Sequence, residues 1–223
     1  MRRQLFSFIL LLYAISSNTQ TVEDLFQPGD IRISWLGIDF SHVKLIGNFA
    51  EFFEAGEKSS WQIRDNYFPK WNRIILDEPE KYDIRGMLRI ADIYYDIDMI
   101  ADINAKTPLE DIESYNTPKY TDKDIESFVG QYDLEGKEGI GVLFIAECLN
   151  KNAVEAYFHF VAINMKTKQV LFHERLRGVP NGFGFRNYWA NTLFSIIQDI
   201  KFYYYGSWKM KVFSMNHGNT VRL

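Results

Sequence analysis

The sequence predicts an α/β fold, bordering on α+β, built as one domain on a mixed five-stranded sheet with the order β-α-α-β-α-β-β-β-α. Three observations carry this expectation. The run Ile140 to Leu149 is nearly continuous in apolar residues, as a central strand covered on both faces must be. Glu155 to Asn164 and Gln169 to Arg177 flank Met165 to Lys168 and read as a hairpin. Finally, Leu193, Ile196, Ile197 and Ile200 follow helical spacing in a segment that opens at Phe185 or Asn187 and runs to about Tyr204.

The chain begins Met1-Arg2-Arg3-Gln4, continues with an apolar run from Leu5 to Ile15, and passes into Ser16 to Gln20. A positive start, a short apolar core and a small polar stretch have the layout of a secretory leader over residues 1–19. Eleven helical residues rise only about 16 Å, too little to cross a hydrocarbon core of roughly 30 Å. The expectation is an exported protein of the periplasm or outer envelope, not lipidated, with a mature domain over residues 20–223 and no transmembrane segment. Loss of Arg2 and Arg3 takes the formal charge from −4 to −6. An acidic chain does not have the clustered cations of a nucleic-acid binder. Eighteen Phe, 13 Tyr and 5 Trp supply ample core material.

In chain order, Ile31 to Leu36 begins a strand that resumes at His42 to Ile46, with Gly37 to Ser41 as an interruption or bulge. Asn48 can cap a helix to about Ala55, stopped by Gly56. A second helical region starts near Ser59 or Ser60, and Pro69 should end or kink it or open its successor. Arg89 to Asn104, rich in Ile and Tyr, reads as a strand whose Asp92, Asp96, Asp98 and Asp102 line a solvated face. Thr121 caps a helix to about Gln131, with Asp124 as the acidic member of a weak capping box. The first and third strands belong at the centre, the first three strands are parallel, and the tail from about residue 209 is loosely structured.

Four segments together are distinctive: Ser34 to Lys44 (SWLGIDFSHVK), Phe68 to Asn72 (FPKWN), Glu78 to Asp83 (EPEKYD) and Gly182 to Trp189 (GFGFRNYW). Through them nearly the whole mature chain resembles an uncharacterised family of secreted α/β proteins from Bacteroidota. The resemblance implies an exported or envelope location and supplies no activity or catalytic residue. The element order is also similar, at the level of fold alone, to the N-terminal domain of Tol-type periplasmic proteins.

Candidate chemistry is sparse. Asp39 and His42, in a loop that interrupts a strand, are near enough in sequence for proton transfer or a shared ligand. Gly182, Gly184, Arg186 and Asn187 precede the last helix, where glycines permit close backbone approach and Arg186 favours an anion. The third glycine of a dinucleotide loop and the Lys-Ser/Thr of a phosphate loop are missing there. His159 and His173 face each other across the hairpin if its loop has three residues. A four-residue loop sets His159 against Glu174 instead; only the three-residue register makes a two-His metal site easy, and that site still needs a third ligand. Cys148 reads as a small buried strand residue. The sequence assigns no catalytic residue, metal or cofactor. It points to a non-enzymatic interaction or assembly module of the cell envelope, with other envelope proteins as partners and the aromatic segment Phe202 to Tyr205 with Trp208 as a contact patch. The alternative is a small-ligand (anionic) binding protein or hydrolase with a cleft near Asp39, His42 and Arg186.

Overall fold

A computed structural model describes residues 20–49 and 58–217. Seven strands form one sheet. They are β1 (Ile33–Asp39), β2 (Lys44–Ile46), β3 (Tyr94–Tyr95), β4 (Glu113–Ser114), β5 (Ile140–Asn150), β6 (Glu155–Asn164) and β7 (Gln169–Gly178). β1 and β2 lie end to end along one edge of β5, parallel to it, with Ile33 opposite Ile140 and Lys44 opposite Cys148. β3 and β4 extend β1 and β2 outward, also in parallel, while β6 and β7 continue antiparallel from the other edge of β5. The first and third expected strands are therefore central. The count rises from five to seven because the first strand breaks in two and β4 is too short to leave a periodic signal.

Helices cover both faces. On one side lie α1 (Val22–Phe26), α2 (Ser60–Gln62), α3 (Phe68–Asp77), α4 (Ile84–Leu88), α7 (Phe185–Asp199) and α8 (Tyr205–His217). They bury Trp71, Ile75, Trp189, Ile196 and Trp208 against Trp35, Phe144 and Phe160 of the sheet. On the other side α5 (Asp98–Ala105) and α6 (Asp122–Gly130) bury Ile100, Ile125 and Val129 against Leu36, Leu143 and Val161. With both faces covered, all eleven residues of β5 are buried. Among the described residues no helix is long and apolar enough to cross a membrane.

Several local readings change. The expected helix from Asn48 to Ala55 falls largely outside the described residues. β1 runs on through Asp39, so the break shrinks to Phe40–Val43, and a bulge at Leu36 absorbs the irregularity between Trp35 and Gly37. Pro69 sits in the first turn of α3, and the helix before it widens into a π-helical turn, Ile63–Tyr67. Most of the expected strand from Arg89 to Asn104 is absent. Only Tyr94–Tyr95 pairs with β1, and α5 takes over at Asp98, whose carboxylate suits the positive end of a helix. Asp96 pairs with Lys137 instead of lining a strand face. The last helix does not end near Tyr204. A second π-helical turn, Ile200–Tyr204, leads into α8, and the tail stays helical to His217 because Tyr205, Trp208 and Val212 return to the core.

The outer edge of β1 would expose main-chain groups beyond its short pairing with β3. Two buried asparagines close it. Asn72 of α3 accepts from Ile38 N at 2.7 Å and donates to Ile38 O at 2.9 Å. Asn104 of α5 donates to Ile38 O at 2.8 Å and accepts from Phe40 N at 2.6 Å. A residue on a parallel neighbouring strand would bond the same carbonyl and amide, so the Asn104 amide substitutes for one. The two side chains come from opposite helical layers and meet on one strand edge. Gly37 is required beside them: its φ is +111°, and a Cβ there would lie 2.6 Å from Asn72 Oδ1. Asn104→Ala should cost about 2 kcal/mol by orphaning the Phe40 amide, read as a lower urea midpoint with an unchanged m-value. Gly37→Ala should cost at least as much.

Candidate functional site

Asp39 ends β1 and is fully buried. Its carboxylate accepts from Tyr132 Oη at 2.6 Å and from Ser41 N at 2.7 Å. Burial, then the Asp39 charge, pushes the Tyr132 phenol well above its ordinary range, so Tyr132 keeps its proton and donates. His42 follows in the β1–β2 turn, its ring stacked 3.6 Å from that of Phe128 on α6. Burial lowers its pKa, Asp39 opposes that shift and Lys44 reinforces it. Asp39 and His42 thus share an electrostatic environment beneath α6. The Asp39 carboxylate is tied to protein partners.

The glycine loop belongs to the other layer. Gly184 precedes α7 with φ +79°, and Phe185 and Trp189 bury themselves beside Trp71. Arg186 reaches Glu78 at 3.2 Å and Asn187 Oδ1 at 3.0 Å, while its carbonyl accepts from Trp71 Nε1. Gly182, with φ +104°, donates from its amide to Asn181 Oδ1. The sheet therefore stands between the Asp39 carboxylate, facing Tyr132, and the Arg186 guanidinium, facing Glu78. One cleft lined by Asp39, His42 and Arg186 together does not form. A cavity of about 450 Å³ does open beyond the carboxyl ends of β2 and β4, where α/β sheets commonly hold ligands, but Leu45, Asn48, Glu113, Tyr115 and Asn152 line it.

A buried polar cluster involves a residue that sequence reasoning passed over. Glu147 lies fully buried in β5, and its carboxylate receives His159 Nε2 at 3.0 Å, Arg175 Nε at 3.0 Å and the Tyr120 amide at 3.2 Å. Burial pushes its pKa up, but the His159, Arg175 and Tyr120 hydrogen bonds together win and hold it below the usual 4.5. The Arg175 guanidinium also lies 3.5 Å from the Tyr157 ring centroid. The available signal was one acid inside an otherwise apolar central strand, facing a hairpin arm rich in Arg.

The hairpin loop has four residues, with Asn164 opposite Gln169. A bulge at Leu171 then shifts the register, so His159 opposes Arg175 and His173 opposes Val161. Neither partner expected for His159 is correct, yet the diagonal brings the His159 and His173 ring centroids to 5.9 Å. Cys148 is fully buried, and burial followed by the Glu147 charge lifts its thiol to about 12, which leaves it an unreactive thiol at neutral pH.

Because the folded-state pKa of Glu147 is depressed, its stabilisation is complete above pH 4.5 and is lost as pH falls through the lowered value. Glu147→Gln should therefore cost roughly 2 kcal/mol at pH 7, less than a fully buried pair because Arg175 keeps part of its surface in water. Denaturant titrations at several pH values should show the gap to wild type closing as pH falls below 4.5.

No family model matches the chain, and no curated protein or solved structure shows significant similarity to it.

Proposed function

We propose that the chain is a non-enzymatic interaction or assembly module, exported to the cell envelope by its N-terminal leader, whose contact surface is the outward face of its last helix. One observation supports this reading above the others. The segment from Ile200 to His217 buries Tyr205, Trp208 and Val212 on its inner side, yet also presents large apolar side chains outward. Tyr203 is 74% and Phe202 64% exposed, and Met210 and Met215 are similarly open to solvent. Aromatic and Met side chains are the residue types enriched in interface cores. Clustered on one element, they are costly to leave in water and suit a partner that covers them.

The outward face carries no acidic residue. Lys201 and Lys211 of the same segment are paired with Asp83 and Glu174, and Lys209 reaches the Phe26 carbonyl, so the apolar side chains and not a free charge mark this face.

A photo-crosslinking side chain at position 203, in protein expressed in its own envelope, should yield one discrete adduct with a single polypeptide. The same label at Lys70, exposed on α3, should not. Phe202→Ser in the labelled protein should reduce the adduct about tenfold, the loss expected when a 1.4 kcal/mol anchor is removed. Equal labelling from positions 203 and 70, or no adduct at either, contradicts the proposal.

A further inference from the structure

The cross-strand histidines carry an inference independent of the helix face. His159 is almost wholly buried, and its Nε2 is held by the Glu147 carboxylate at 3.0 Å. His173 places its Nε2 3.3 Å from Asp122 Oδ1, at the start of α6. In the neutral ring a carboxylate on Nε2 favours the proton there, which leaves Nδ1 as a lone pair. Both Nδ1 atoms are shielded from water, and neither has a hydrogen-bond partner. A buried lone pair without a donor is costly, and two of them sit on neighbouring rings 5.9 Å apart. Carboxylate-oriented imidazole with the opposite nitrogen free is the arrangement of metal-binding histidines.

We propose that His159 and His173 form a two-coordinate site, through their Nδ1 atoms, for a soft monovalent cation, copper(I) being the biological example. Two metal–nitrogen bonds of about 2 Å hold the ligating atoms about 4 Å apart. Ring centroids 5.9 Å apart fit that separation. Among the described residues no group of three or more His, Cys, Asp and Glu side chains is placed to hold a metal. Zinc, which takes four ligands in structural sites and at least three protein ligands in catalytic ones, is therefore disfavoured. Copper(I), a closed-shell ion, is satisfied by two imidazoles in line. Charge agrees: Glu147 and Asp122 against Arg175 leave one net negative charge around the pair, which a monovalent ion neutralises and a divalent ion overshoots. Entry runs past Asp122, whose side chain is open to solvent, to the partly exposed His173. Binding is coordination only; no electron moves.

The test is anaerobic titration of the mature chain with copper(I) against the chromophoric chelator bicinchoninate, with native mass spectrometry of the silver(I) form as a second readout. Wild type should take up one equivalent of either ion, and the long-range nitrogen NMR signals of His159 and His173 should shift at Nδ1. His173→Gln, at a partly exposed position that Glu147 does not touch, should abolish that equivalent. Asp122→Asn should weaken it about tenfold. His42→Gln should bind as wild type does. The proposal is overturned if wild type takes up no equivalent, if His173→Gln binds equally well, or if zinc competes on equal terms.

Discussion

The main-chain edge at Ile38 is the point on which both helical layers depend. A parallel strand has to complete its hydrogen bonds on two sides, and an orphaned buried amide or carbonyl costs about 1–3 kcal/mol. β5 satisfies one side of β1. On the other, β3 reaches only Ser34 and Trp35, and the Asn72 and Asn104 side chains supply what a longer strand would have given. Their positions follow from this need. α3 must bring Asn72 from one face and α5 must bring Asn104 from the other, so the same few atoms hold both layers to the sheet. The glycine at 37 leaves room for that meeting, and the bulge before it turns Ile38 inward on one face and Asp39 on the other.

Placement of the polar groups follows from the same edge. Asp39 points into the layer of α6, where Tyr132 closes on it, and the β1–β2 turn brings His42 against Phe128. Farther along β5, Glu147 faces that same layer and draws in His159 and Arg175 from the hairpin. Among the described residues the second layer is the thinner, built of α5 and α6, and it covers a set of ionisable groups where the thicker layer covers mainly aromatic rings. Buried charges and histidines thus sit beneath α6, and the exposed aromatic side chains Phe202 and Tyr203 lie in the π-helical turn before α8.

Much of the sheet was legible because its signals are periodic. An apolar run for β5, alternation with a polar turn for the hairpin, and the Leu193, Ile196, Ile197 and Ile200 stripe for α7 all specify one structure each. Arg89 to Asn104 was not legible as a strand because its apolar residues satisfy both periods. Ile97, Ile100 and Ile103 recur every three residues and decide for a helix only once Tyr94 and Tyr95 have met β1. The tail was misjudged for a related reason: a π-helical turn adds a residue, so the stripe of α7 slips before Tyr205, Trp208 and Val212 resume it.

The site was less legible than the fold. Asp39 and His42 are three residues apart in sequence, and the structure keeps them together. Arg186 was joined to them only by supposing one cleft, and the sheet intervenes. Asn72 and Asn104 carry no sequence signal, since an Asn in a helix reads as a surface residue until a strand edge lies against it. The His159–His173 meeting depends on a bulge at Leu171 that no turn residue announces.

Native-state hydrogen exchange at the Ile38 and Phe40 amides tests the central claim most directly, because both donate to asparagine side chains and to no strand. If the asparagine pair completes the sheet, these two amides exchange only by global unfolding, with protection equal to that of β5, and Asn104→Ala strips protection from Phe40 first. Exchange of Ile38 and Phe40 at the rate of surface loops, with β5 still protected, would contradict it.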